Sequence, residues 1–225
     1  KESAQQSAEV PSSFDMSPID EWMIVTIQVA ATNCGETEHF LGRSDHSQTP
    51  IDVAEILAYN AELSDTERYQ VEQYLAQKWF NHAVTHPNIA SLEMWFDAAD
   101  LTGTEVSTWT DKGNNHDASG TTAPVVQAGL GGRPFVELNG ISFNVAGNAF
   151  LNTMVAVFRC HGGCTTWSNH GALLNRRSGR SCNWLFENGN TNLHSNQYPG
   201  KMWMRKESAQ QSAEVPSSFD MSPID

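Results

Sequence analysis

IDVAEILAYNAELSDTERYQVEQYLAQKW, residues 51–79, divides into a strand and a helix with a sharp boundary between them. Ile51 to Tyr59 alternates less cleanly than the run at Glu21–Val29 but still reads as a strand, ending at Asn60. Four residues later Ser64-Asp65-Thr66-Glu67 forms a capping box. In that motif the serine hydroxyl accepts the Glu67 amide while the Glu67 carboxylate reaches back to the cap. Leu63, just before the cap, is placed to anchor the incoming chain. Val71, Tyr74, Leu75 and Trp79 then recur at helical spacing, which predicts a helix over about 64–79 with one face packed on a sheet.

On either side of this unit the signals are those of strands. Glu21 to Val29 (EWMIVTIQV) is a buried-strand pattern. After Trp79 the periodicity ends, and residues 81–93, with Pro87, read as a linker. Strands are then predicted from Leu92, over Val106–Thr110, Pro134–Leu138, Ala149–Arg159, Gly171–Asn175 and Trp184–Glu187, with Gly- and Asn-rich turns between them. Glu36, Thr37 and Glu38, followed by His39 and Phe40, read as loop. Many short strands and a single helix predict an all-β sandwich or jelly roll.

The first twenty residues, Lys1–Asp20, return letter for letter as Lys206–Asp225, an offset of 205 residues. That period is the length of a domain, far above the 20–50 residues of solenoid repeats. Three origins fit: one period of a near-identical array plus an overlap, a circular permutant with a duplicated seam, or a polymer in which one segment stands twice. Two identical segments cannot fill one place in one sandwich. Lys1–Asp20 and Lys206–Asp225 are therefore the candidates for head-to-tail self-assembly by strand exchange with a neighbouring copy.

The formal charge of the chain is −13. Lys1 against Glu2, Glu9, Asp15 and Asp20 gives the repeated segment −3, leaving −10 for one period. Such a surface disfavours nucleic acid and anionic membranes. The sequence has no apolar run long enough to span a bilayer, so no membrane insertion is expected. Cys34, Cys160, Cys164 and Cys182 suit two disulfides in an oxidising compartment, with three connectivities open. The alternative, metal ligation through Cys160, His161, Cys164 and Cys182, matches no strong zinc spacing.

Two groups of motifs carry a family resemblance. Ala54–Trp79 resembles the end of bacterial laminin-G-like domains of the concanavalin A-like lectin and glucanase superfamily. MWFDAADLTG (Met94–Gly103), WTDKGNNHDAS (Trp109–Ser119), GGRPFVELNG (Gly131–Gly140) and GALLNR (Gly171–Arg176) resemble that family's beginning and middle. The order is permuted. Residues 1–80 correspond to the C-terminal part of such a domain, 81–93 to an inter-domain linker, and 94–225 to the N-terminal part of the next, or of the same, domain. The implied fold is a concanavalin A-like jelly-roll sandwich with one short C-terminal-type helix.

The resemblance admits three functional classes. Glucanases of the superfamily carry their carboxylates as Glu-x-Asp-x-x-Glu on one strand, and that spacing is absent here. The chain is accordingly read as non-catalytic, with glycoside hydrolysis the remotest reading. Glycan binding would use Trp167, Trp184, Tyr198 and Trp203 with Asn190 and Asn192, although tryptophans in a sandwich more often belong to the core. Asp97, Asp100, Asp111 and Asp117 are candidate calcium ligands, the one cofactor considered. The family often has a Ser-Gly-Asn-Gly-like turn where this chain has Lys112-Gly-Asn-Asn, and Asp97 and Asp111 are equally suited to capping turns. The expected role is a structural repeat module of a secreted or surface-displayed filament, stalk or adhesin. Its expected partners are neighbouring copies of itself and, in the lectin reading, surface glycans.

Overall fold

The computed structural model describes residues 22–28, 37–42, 51–81, 85–160, 171–176, 183–187, 201–205 and 213–214. They form two antiparallel sheets with one α-helix, an architecture consistent with an all-β sandwich.

The first sheet runs β1 (Trp22–Gln28), β10 (Thr153–Cys160), β3 (Ile51–Tyr59), β8 (Pro134–Leu138) and β7 (Val125–Ala128). The edge of β3 away from β10 is shared. β8 pairs with Ile51–Val53, and β4 (Leu92–Asp97) pairs with Glu55–Tyr59. The second sheet runs β14 (Ala213–Glu214), β13 (Lys201–Arg205), β12 (Asn183–Glu187), β11 (Gly171–Arg176), β2 (Thr37–Leu41), β9 (Phe143–Ala149), β6 (Ala118–Ser119) and β5 (Thr108–Trp109). Strands from both sides of the segment at 82–91 share both sheets: β1 and β3 pair with β10, and β2 lies between β9 and β11.

The inner face of the first sheet is apolar. Ile51, Val53, Ile56, Ala58, Met94, Phe96, Val136, Met154, Ala156 and Phe158 are all buried there. They join a single core with Leu41, Phe143, Val145 and Leu174 of the second sheet. Phe96 meets Trp109 at 5.7 Å between ring centroids, and Trp109 meets Phe143 at 6.3 Å, so these rings bridge the sheets. Full burial of each such side chain contributes about 1.5–3 kcal/mol.

The outer face of the same sheet carries charge, and a bulge explains how. Opposed residues of an antiparallel pair lie on one face, as do residues two apart on a strand. Arg159 opposes Asp52 and Val157 opposes Glu55, so Asp52 and Glu55 share a face although they are three residues apart. The register slips between Val157 and Phe158, and Ala54 is the extra residue on β3.

Helix α1 (Asp65–Ala76) lies on this outer face, with Val71, Tyr74 and Leu75 buried. Ser64 caps it, and both bonds of the predicted capping box are present. Leu63 is buried, its amide donating to Thr153 Oγ1 at 3.3 Å. Thr26 Oγ1 of β1 donates to Glu72 Oε1 at 2.6 Å, fixing the helix to the sheet edge.

Several boundaries differ from the sequence reading. The α-helix stops at Ala76, and a wider π turn carries the chain from Gln77 to Asn81. β4, by contrast, begins at Leu92 as read, its backbone completing the edge of β3. Ala149–Arg159 is two strands rather than one, with Ala149 closing β9 and Thr153 opening β10. Thr37–Leu41, expected as loop, is a strand held between β9 and β11, with His39 buried and bonded to the Ala149 carbonyl at 3.3 Å.

Candidate functional site

The strongest concentration of chemistry lies under α1. Glu55, in the middle of β3, is fully buried, and four donors reach its two oxygens. Tyr74 Oη donates to Oε1 at 2.9 Å and Trp95 Nε1 to the same oxygen at 2.7 Å. Lys78 Nζ donates to Oε2 at 2.7 Å and Trp79 Nε1 at 2.5 Å. The donors come from α1, the π turn and β4. Tyr74, Lys78 and Trp79 stand at i, i+4 and i+5; the wider turn brings the last onto the same side as the first two, which a continued α-helix would not.

The network extends through Lys78. Its ammonium also donates to Tyr74 Oη at 3.0 Å and meets Asp97 Oδ2 at 2.6 Å, one acceptor for each of its three hydrogens. Asp97 Oδ2 is bridged by Lys112 at 2.9 Å, and Lys112 pairs with Asp100 at 2.7 Å nearer the surface. Lys112 lies 4.0 Å from the centroid of the Trp95 ring, and His86 stacks on the same indole at 4.4 Å.

Burial first, and then the Asp97 carboxylate, push the Glu55 carboxyl up from its ordinary value, while Lys78 and the Trp79 indole pull it back. The donors decide its charge: lysine and tryptophan can only donate, so the arrangement is complete only around an ionised carboxylate. For Asp97, burial opposes ionisation, but Lys78 and Lys112 outweigh it and hold the group below the usual range. His86 is pushed down to about 4 by burial and by the charges of Lys78 and Lys112.

Glu55 has about four lone-pair positions, and all are taken by protein donors. Such a carboxylate clamps β3, β4, α1 and the π turn together. Leaving one donor here without its acceptor would cost about 1–3 kcal/mol. The π turn is itself held by Arg133, whose Nε donates to the Lys78 carbonyl at 2.9 Å. Gly131, at φ 58°, lies so close that a Cβ would sit 2.8 Å from the Trp79 carbonyl oxygen.

Another buried carboxylate, Asp111, shapes the following loop. Its Oδ1 accepts the amides of Trp95 at 2.6 Å and Gly113 at 2.9 Å, and its Oδ2 accepts that of His116 at 2.9 Å. Asp117 Oδ1 accepts the Asp111 amide at 2.9 Å. His116 bridges Glu93 Oε1 at 3.0 Å and the Ala146 carbonyl at 2.9 Å. A fourth buried carboxylate, Asp52, pairs with Arg159, which lies against the rings of Trp22 and Phe135.

The four candidate calcium ligands fall into two groups. Asp97 and Asp100 meet on Lys112, with Asp97 Oδ1 also capping a short turn through the Ala99 amide at 3.0 Å. Asp111 and Asp117 meet in the loop. Among the described residues no three His, Cys, Asp or Glu side chains come together in a way that could hold a metal ion.

Of the glycan-binding candidates, Trp184 and Trp203 stand in the adjacent strands β12 and β13, paired with Met204 and Leu185. Trp167, Asn190, Asn192 and Tyr198 lie outside the described residues, as do Cys34, Cys164 and Cys182, while Cys160 ends β10. Lys1–Asp20 also lies outside, and from Lys206–Asp225 only Ala213 and Glu214 are described, as β14.

Glu55 and Lys78 were the residues that sequence reasoning passed over. The signals were two acids, Asp52 and Glu55, inside a strand of otherwise uncharged residues, and a lysine seven residues after Val71, on the buried side of the helix.

The fold and site together give two antiparallel sheets and one helix, consistent with an all-β sandwich, whose buried charges join its own elements. No family model, curated protein or solved structure matches the chain. No described helix is long and apolar enough to cross a membrane.

Proposed function

We propose that this chain is a structural repeat module, non-catalytic, of a secreted or surface-displayed filament, stalk or adhesin. Its sandwich is read as a jelly roll of the laminin-G-like, concanavalin A-like kind. The observation that carries the reading is the perfect twenty-residue repeat at an offset of 205 residues, one domain apart. Near-identity suits a polymer, in which every unit meets the same neighbour. The saturated clamp at Glu55 supports it, since a load-bearing module gains from charges that lock elements rather than await a substrate.

The test is imaging. A chain extended to three periods should appear in negative stain as a string of equal bodies whose length grows by one increment per period. A single aggregate of fixed size regardless of period number would sink the reading.

Glycan binding is the second reading, favoured by the adjacent strands that carry Trp184 and Trp203. A glycan array separates the two: saturable binding lost on Trp203→Ala supports a lectin, and a blank array supports a spacer.

A further inference from the structure

The repeated segment meets the fold at a definite place. β13 is the last strand of more than two residues at its end of the second sheet. Among the described residues, β14 (Ala213–Glu214), which pairs with Met204 and Trp203, is all that stands beyond it. Among the described residues Lys201, Met202 and Arg205 have no partner on that side. An edge so lightly covered is a template for another strand.

The segment that covers it has a twin. Ala8–Glu9 stands in Lys1–Asp20 where Ala213–Glu214 stands in Lys206–Asp225, with the same neighbours for the whole length of the repeat. Strand addition is recognised through main-chain bonds and alternate side chains, and both are identical in the two copies. The edge therefore cannot tell them apart chemically. What separates them is tethering. Lys206 to Ser212 joins β13 to β14 within one chain, and so short a linker gives a local concentration in the millimolar range.

We propose that the outer edge of β13 is a docking slot for Lys1–Asp20 of a second copy of this chain, which displaces β14 by pairing through Ala8–Glu9. The inference rests on the repeat-module reading and gives it a contact. Each chain then has one donor segment, leading into β1 at the edge of the first sheet, and one acceptor edge at the end of the second. A donor and an acceptor on different surfaces make a heterologous contact that propagates without closing. Twelve residues, Val10 to Glu21, separate Glu9 from Trp22. Fully extended they reach about 40 Å, which sets the largest distance between the β1 edge of one unit and the β13 edge of the next.

The experiment titrates a labelled peptide of Lys1–Asp20 against the full chain and against its Ala213→Pro/Glu214→Pro variant. Both residues are replaced because only alternate residues carry the ladder bonds. The variant, its own β14 disabled, should bind the peptide at least tenfold more tightly than the parent. A peptide carrying Ala8→Pro/Glu9→Pro should bind neither. Equal binding by parent and variant, or binding that survives prolines in the peptide, overturns the proposal. So does failure of a variant whose near-ultraviolet circular dichroism matches the parent's. Should the variant not fold, the parent is titrated with peptide at millimolar concentration and followed by amide chemical shifts. Changes over Lys201–Arg205 support the slot, and their absence overturns it. The peptide reads the slot alone; strings of bodies seen by imaging without peptide binding would leave the repeat reading standing with a different contact.

Discussion

Two buried carboxylates meet at Trp95 and are held in opposite ways. Glu55 accepts only side-chain donors, from residues 19 to 40 positions away. Asp111 accepts only backbone amides, two of them within five residues. The first fixes how a helix, a turn and two strands are arranged; the second fixes the path of one loop. Trp95 belongs to both, giving its indole to Glu55 and its amide to Asp111. The difference teaches that a buried charge organises whatever supplies its donors: distant side chains make it a keystone of topology, local amides a former of turns.

The sharpest way to break this comparison is Glu55→Gln. The amide keeps the shape but turns one acceptor into a donor that faces lysine and indole N–H groups. Removing one partner of a buried ion pair costs about 3–5 kcal/mol, and the urea midpoint should fall accordingly. A loss below about 1 kcal/mol would mean that Glu55 is no keystone. Trp79→Phe removes one of the four donors while the other three remain, for an expected loss of about 1.5–3 kcal/mol by the same measurement. On the other side, Asp111→Asn should cost about 1–3 kcal/mol, because one amide is left facing an NH2 group. Combining Glu55→Gln with Asp111→Asn tests the shared residue. A coupling of at least about 0.5 kcal/mol is expected if Trp95 links the two sites, and strict additivity would separate them.

The smallest effect is on pH dependence. The His86 pKa is lowered from 6.5 to about 4 by burial, then by Lys78 and Lys112, with Asp97 opposing. The fold thus prefers the neutral ring. Its contribution is complete above the unfolded value of 6.5 and is lost as pH falls towards 4. Asp97, with its pKa below 3.8, contributes above its unfolded value and is lost only at still lower pH, so the two windows are distinct. His86→Phe should flatten the fall in melting temperature between pH 6.5 and pH 4. A curve that keeps the parent's slope would assign that fall to another group.

Much of this arrangement was visible in the sequence where the signals are local. The capping box at Ser64, the buried stripe of Val71, Tyr74 and Leu75, and the strand at Ile51–Tyr59 each stand within a few residues and appear as read. Thr37–Leu41 was missed because its strand character comes from β9 and β11 on either side and not from its own polar composition. The clamp was missed for a related reason. Glu55 and Lys78 are each unfavourable where they stand, and their pairing across 23 residues, completed by Tyr74, Trp79, Trp95 and Asp97, makes both acceptable. A charge in an apolar strand and a charge in an apolar helical stripe are weak signals singly and a strong one together.

The extra residue at Ala54 has a consequence for how this chain tolerates change. A regular strand assigns faces by odd and even position, so charges at 52 and 55 have opposite parity and one would point into the core. The bulge inserts a single phase shift between them and restores agreement. Deletion of Ala54 would therefore leave the faces in phase. Asp52 and Glu55 would stand two apart in a regular strand, on the same side of the sheet, and only the bulge and its local twist would be lost. One more residue between them, by contrast, would put the two charges on opposite faces.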